Sequence, residues 1–233
     1  MITVIVPAYN EEANIGACLE SLSHQSLPRD EYEIIVVDGD SKDRTREIAA
    51  QWADLVFIQT SRRVGGARND GAMRAKGDII ATTDADCVVP ADWLKRIQDD
   101  FNHNTDVVQL YGPVNPIERD LKYWIFLGFA NNFSRFGYYT RTFYYTLGCN
   151  TAFRKDAFLR AGMYKVVDAG DDLEIPNRMK KIGRIMFDNH LWMGFSMRRY
   201  QQFGLLKSLF EWTYIVAKGG SSEKRSYSKR DYK

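Results

Sequence analysis

Residues 78–87 read Asp78-Ile79-Ile80-Ala81-Thr82-Thr83-Asp84-Ala85-Asp86-Cys87. An apolar run ends in two carboxylates separated by one residue. The run predicts a short buried strand. Acids at the C-terminal end of such a strand are hard oxygen ligands, suited to Mg²⁺ or Mn²⁺ carrying a diphosphate. A solvated turn after a strand is the plainer alternative, because Asp-x-Asp is common by chance. The flanking sequence decides between the two.

Upstream of this run, three more β-rich stretches occur: residues 2–6, closed by Pro7, then Glu33-Ile34-Ile35-Val36-Val37-Asp38, then Leu55-Val56-Phe57-Ile58. Helical patterns separate them. Ile15, Cys18, Leu19 and Leu22 recur at helical spacing, with Asn10 as the expected cap and Glu11 and Glu12 in the first turn. Ser41 or Asp43 opens a second helix carrying Ile48, Ala49 and Trp52. A third runs over 67–76. Strand and helix thus alternate four times with short connections, which predicts an α/β fold with a mostly parallel central sheet flanked by helices. Ligands of such sheets bind beyond the carboxyl ends of the strands. Ala8-Tyr9-Asn10, residues 38–41 and Asp84-Ala85-Asp86 all fall there, so three loops distant in sequence are expected at one edge.

Composition narrows the function classes. The 233 residues carry a net charge of +2, with 45% hydrophobic and 27% charged residues. That is ordinary for a globular protein and lacks the basic stripe of a nucleic-acid binder, so no nucleic-acid partner is expected. Cys18, Cys87 and Cys149 fit neither a zinc site nor a disulfide framework, which points to a reducing compartment. Met1-Ile2-Thr3-Val4 opens directly on a strand, so no signal peptide is expected. No run approaches the length of a spanning helix. A cytoplasmic setting follows as the expectation, including the cytoplasmic face of a membrane.

The second half is less regular. Residues 107–111 predict a strand, 121–147 are crowded with aromatics, 168–181 read as a loop and then a helix, and 203–217 form an apolar helix. Residues 218–233 read as a polar, basic tail.

The motifs form an ordered set. Val6-Pro7-Ala8-Tyr9-Asn10-Glu11-Glu12, Val36-Val37-Asp38-Gly39-Asp40-Ser41-Lys42-Asp43-Arg44-Thr45, Gly66-Ala67-Arg68-Asn69 and Asp84-Ala85-Asp86 resemble the family 2 glycosyltransferases with the GT-A fold. So do Gly148-Cys149-Asn150-Thr151-Ala152-Phe153 and Gly170-Asp171-Asp172-Leu173-Glu174. The resemblance covers about residues 2–200. It implies an inverting, metal-dependent transfer from a nucleotide-diphosphate sugar to an acceptor, a polyprenyl phosphate or a glycan among the candidates. It also implies one catalytic domain over 1–217, with 1–112 binding the nucleotide-sugar and 113–217 forming the acceptor side.

Individual roles follow. Pro7, Ala8, Tyr9 and Glu11 lie against the nucleoside, Tyr9 covering a base or ribose and Glu11 accepting hydrogen bonds. The family's Asp-Asp-Gly-Ser is here Asp38-Gly39-Asp40-Ser41. The acid that often reads the base is replaced by Gly39, and Asp38 or Asp40 takes over. Arg68, beside Gly65 and Gly66 that permit close backbone approach to a ligand, pairs with phosphate oxygens, the plainer alternative being a glycine-rich turn with a surface arginine on the next helix. Asp84, Ala85 and Asp86 hold the metal and diphosphate, with Asp86 the firmer ligand and Asp84 reaching either the metal or the sugar. Asp172 is the expected general base and Asp171 its alternative. His190, in a stretch read as a strand or its edge, is a weaker ligand candidate, and Arg198 and Arg199 reach the diphosphate, a phosphorylated acceptor or solvent. The aromatic stretch is core and lid, or a contact with a membrane interface through Trp124, Phe126, Leu127, Tyr138 and Tyr139. Two other readings compete. A nucleotidyltransferase is disfavoured by the acidic first loop. A nucleotide-sugar-binding protein without transfer activity is disfavoured by the full acidic set.

Overall fold

The computed structural model describes residues 1–205, 207, 208, 210 and 214. The expected tail at 218–233 and most of the expected helix at 203–217 lie outside the described residues. The main sheet contains β1 (Ile2–Ala8), β2 (Tyr32–Asp38), β3 (Leu55–Ile58), β4 (Ile79–Thr82), β5 (Val107–Tyr111), β7 (Thr151–Arg154) and β8 (Arg184–Phe187). Its order is β3-β2-β1-β4-β7-β5-β8. β1 to β4 run parallel, β5 and β8 run parallel to one another, and only β7 is antiparallel to its neighbours. The mostly parallel α/β sheet expected from the alternation is present. A two-stranded ribbon of β6 (Val114–Pro116) and β9 (Met193–Phe195) completes the strands.

Both faces of the sheet are covered, which is why β1 and β2 read as continuous apolar runs rather than alternating ones. Val4, Val6 and Ala8 of β1 join one core with Cys18 and Leu19 of α1 (Ile15–Ser23), Ala49 of α2 (Thr45–Ala49) and Trp93 and Ile97 of α4 (Trp93–His103). Ile5 points the other way. It packs with Ala67 and Ala72 of α3 (Arg63–Arg74), Phe158 of α6 (Lys155–Arg160) and Ile175 of α7 (Asp171–Met179). This two-residue alternation is the pleat expressed as two cores.

Four local expectations are corrected. Asn10 does not cap α1. It sits at φ 52°, and a turn closed by Asn14 N–H on the Glu11 carbonyl precedes the helix. Asn10 instead ties the first two loops together: its N–H donates to Ser41 Oγ at 2.9 Å and its Oδ1 accepts from Lys42 N–H at 2.9 Å. α3 starts at Arg63, so Gly65 and Gly66 are helical residues rather than a turn. A Cβ on Gly65 would stand 2.8 Å from the Lys165 carbonyl and 2.9 Å from Asp171 Oδ2. The close approach that Gly65 permits is thus to Lys165 and the start of α7, while Gly66 lies against Ser61. His190 lies on an exposed turn between β8 and β9, not in a strand. Within the aromatic stretch, α5 (Leu121–Thr140) buries Leu127 and half-buries Phe126 and Tyr138, leaving only Trp124 and Tyr139 of the expected set exposed.

β7 matters for the site. Because it runs antiparallel beside β4, its N-terminal end lies at β4's carboxyl end, with Thr151 opposite Thr82. Residues 148–150 are therefore delivered to the edge where Asp84 emerges. Asn150 fixes them there: its Oδ1 accepts from Trp93 Nε1 at 2.9 Å, and its Nδ2 donates to the carbonyls of Pro113 and Leu191.

Candidate active site

Two adjoining hollows open at the carboxyl edge of the sheet. The first, of about 200 Å³, lies where β1 and β2 end, with Pro7, Ala8, Tyr9 and Gly39 on one side and Gln59, Arg63, Val64 and Ala67 on the other. Gly39 packs closely on Tyr9, where a Cβ would stand 3.1 Å from Tyr9 Cδ2. Asp38 and Asp40 both turn away. Asp38 is fully buried, accepting from Ser41 N–H at 2.8 Å, Ser41 Oγ at 2.6 Å and Arg46 at 3.1 Å. Asp40 takes a left-handed φ of 66° and pairs with Lys42 at 2.5 Å. The cleft's side-chain amide is Gln59, a residue with no pattern around it in the sequence.

The second hollow, of about 100 Å³, is lined by Arg68, Asp84, Asp86, Gly148, Asp171 and Asp172, with Val64 shared between the two. Arg68 organises it. Its guanidinium is buried and donates to Asp84 Oδ1 at 2.8 Å and to Asp171 Oδ2 at 3.3 Å. Burial opposes its charge, but Asp84 and Asp171 outweigh that and raise its pKa, so it stays a cation. Gly148 packs directly on it, where a Cβ would come within 2.5 Å of Nη1. Arg68 therefore joins the Asp-x-Asp loop to the start of α7, two segments far apart in sequence.

Gly170, at φ 82°, turns the chain into α7 so that Asp171 and Asp172 occupy its first turn. Asp172 Oδ2 accepts from Gly148 N–H at 2.9 Å, and Thr146 Oγ1 donates to its backbone carbonyl. Burial and the adjacent Asp171 hold the Asp172 carboxyl well above the usual carboxylate range. Asp171 is also raised by burial, against the pull of Arg68.

Asp86 lines the same hollow. Burial, Asp84 and Glu11 push its carboxyl up to about 6, against Arg198 and Arg199. Arg198 bridges Glu11 at 2.7 and 2.9 Å and Asp86 at 3.1 Å. Among the described residues no three His, Cys, Asp or Glu side chains gather as a metal cage. Asp84 and Asp86 instead present two carboxylates to one hollow. Such a donor set fits a Mg²⁺ or Mn²⁺ that completes its shell with phosphate and water oxygens.

The sequence profile of the family described as Glycosyl transferase family 2 matches residues 3–162. The chain belongs to this family. Glycosyltransferase AglE of Haloferax volcanii is 39% identical over 101 residues, 41% of this chain and 33% of that protein. Poly(ribitol-phosphate) beta-glucosyltransferase of Bacillus spizizenii is 36% identical over 102 residues, 41% of this chain and 16% of that protein. Mannosyltransferase PcManGT from Pyrobaculum calidifontis, solved with GDP-Man and Mn²⁺, superposes with a TM-score of 0.68 at 22% identity. That superposition covers 95% of this chain and 65% of PcManGT, and it shows the GT-A fold. The matches to the two curated relatives span about a third or less of their length.

As a family 2 glycosyltransferase domain, the chain brings together most of the residues singled out from sequence. Pro7, Ala8 and Tyr9 line the first hollow, and Arg68, Asp84, Asp86, Asp171 and Asp172 line the second. Four line neither hollow: Glu11 faces Arg198, Asp38 and Asp40 are not among the residues of the first hollow, where Gln59 stands, and the Ala85 side chain is in the core. Arg199 lines the second hollow, while His190 lines neither.

Proposed function

We propose that this chain transfers a sugar, with inversion, from a nucleotide-diphosphate sugar to an acceptor hydroxyl or phosphate. The observation that carries the reading is the single hollow in which Arg68 ties Asp84 to Asp171, with Asp86 and Asp172 in its lining. The nucleoside enters the first hollow against Tyr9, and the diphosphate crosses at Val64 toward Asp84 and Asp86. Asp86, with Asp84, would hold Mg²⁺ or Mn²⁺, which when bound stabilises charge on the departing diphosphate. Manganese is supported by its presence with GDP-Man in PcManGT. A polymeric, phosphate-bearing acceptor is supported by the poly(ribitol-phosphate) glucosyltransferase among the relatives.

Asp172 is the base. Within the described hydrogen bonds only its Oδ2 is engaged, leaving Oδ1 for an acceptor hydroxyl. Asp172 takes that proton as the acceptor oxygen bonds to the anomeric carbon and the bond from that carbon to the diphosphate breaks. Asp171, locked to Arg68, holds the start of α7 in register. The test is release of nucleoside diphosphate from a panel of UDP-, GDP-, dTDP- and CDP-sugars with Mn²⁺. Wild-type chain should release it, and Asp86→Ala and Asp172→Asn should each fall by at least about a hundredfold. Undiminished release in Asp172→Asn removes that residue as base. No release from wild type with any donor, while a donor still binds, makes the chain a binding protein.

A further inference from the structure

α5 turns Tyr123, Leu127, Ser134 and Gly137 inward. With 3.6 residues per turn these share one side of the helix. Leu121, Ile125, Phe129, Phe136 and Tyr139 fall on the opposite side and are 71%, 53%, 74%, 60% and 64% exposed. Trp124 and Phe133 flank them, each nearly half exposed. A helix apolar on both sides belongs in an interior, so this outward stripe calls for a cover.

The charges choose the cover. α5 contains Lys122 and Arg135 and no Asp or Glu, with Arg119 and Arg141 just beyond its ends. Asp120, the helix cap, accepts from Lys122 N–H at 3.0 Å and pairs with Lys122 Nζ at 2.7 Å, and Glu118 lies beside Arg119, so around the helix Arg119, Lys122, Arg135 and Arg141 outnumber Glu118 and Asp120. A second copy of the same face, placed across a two-fold axis, would meet these cations with cations. An anionic bilayer offers the complementary sign, and Trp, Tyr and Phe rings with flanking cations are what its interfacial zone accepts. No helix among the described residues is long and apolar enough to cross a membrane.

We infer that the outward face of α5 is a docking surface for an anionic bilayer, the helix lying in the plane of the interface. The inward side of the same helix reaches the second hollow: Phe126 packs on Tyr200 with ring centroids 5.2 Å apart, and Tyr200 lines that hollow. A chain seated on this face holds Asp172 close to the headgroup layer. If the sugar-transfer reading holds, a lipid phosphate is then the acceptor within reach. The docking itself does not rest on that reading.

The test uses the 233-residue chain with vesicles and neither donor nor acceptor, so its result is independent of transfer. Co-sedimentation compares phosphatidylglycerol/phosphatidylcholine vesicles with phosphatidylcholine alone. Wild type should bind the anionic vesicles, and Phe129→Ser/Phe136→Ser should bind at least about tenfold more weakly. Part of the wild-type binding should survive about 1 M salt, where the screening length is about 3 Å and attraction by the basic residues at 218–233 is lost. Brominated lipid should quench tryptophan emission in wild type and less in Trp124→Phe, a comparison that stands even if the double variant does not fold. Equal vesicle binding by wild type and double variant overturns the inference. So does quenching unchanged in Trp124→Phe, or a dimer in sedimentation velocity that the double variant dissociates while vesicle binding stays the same.

Discussion

Arg68 draws together carboxylates from the end of β4 and the start of α7, and the titration of the surrounding acids is where this arrangement becomes measurable. As the proposed base, Asp172 works only when ionised, and burial beside Asp171 raises its pKa. Its ionised fraction grows with pH, so kcat/KM should rise through an acid limb well above about 4, the ordinary carboxylate value. A pH–rate profile with its limb near 4 would count against Asp172. Asp86 gives a stability counterpart. Its folded-state carboxyl is raised to about 6, so the folded chain holds that proton more tightly than the unfolded one. Stability from this group is therefore full below about 4 and falls as pH rises through about 6. Asp86→Asn removes the loss, and relative to wild type it should gain roughly 2 kcal/mol between pH 4 and pH 8, read by urea unfolding. An equal difference at both pH values contradicts the assignment. Asp84, Asp86, Asp171 and Asp172 were legible in the sequence because paired acids after an apolar run or at a helix start form a pattern. Gln59 was not, because a lone amide after a short strand matches no motif. The turn of Asp38 away from the cleft was also hidden, since it depends on Ser41 and Arg46 folding back onto it.

At the scale of elements, α3 and α5 each carry glycines, in opposite circumstances. Gly65 in α3 lies against the Lys165 carbonyl and Asp171, whereas Gly128 in α5 has open space where a Cβ would go. Helix propensity favours alanine at both by about 1 kcal/mol. Gly128→Ala should thus stabilise by about 0.5–1 kcal/mol. Gly65→Ala should destabilise by about 1–3 kcal/mol, because the gap between α3 and the 165–171 segment must widen. Chemical denaturation of the two variants checks the pair, and a stabilised Gly65→Ala would show that this contact is slack. The first four strands and their helices were legible because runs such as Glu33-Ile34-Ile35-Val36-Val37 alternate with helical spacing over short connections. The start of α3 was not, since Gly65-Gly66 imitates a turn unless the packing partner is known. The direction of β7 was likewise hidden, as residue pattern carries no strand polarity, yet that direction brings Gly148 to Asp172.

On the scale of the whole molecule, the account is of one sheet edge with a division of labour. In the proposed function the ends of β1, β2 and β4 form the donor floor, with residues 148–150 and the start of α7 beside it. The family and fold were legible from six motifs in order, because each marks a strand end that the parallel sheet must gather. The base of the donor was not, since Gly39 removes the acid that would announce it. Calorimetric titration with the nucleotide-sugar that releases its nucleoside diphosphate, in Mn²⁺, tests this division most directly. Wild type and Asp172→Asn should bind it with Kd values within about threefold of one another, while Asp86→Ala should bind at least about tenfold more weakly, a loss of about 1.4 kcal/mol. Unchanged affinity in Asp86→Ala would contradict the account.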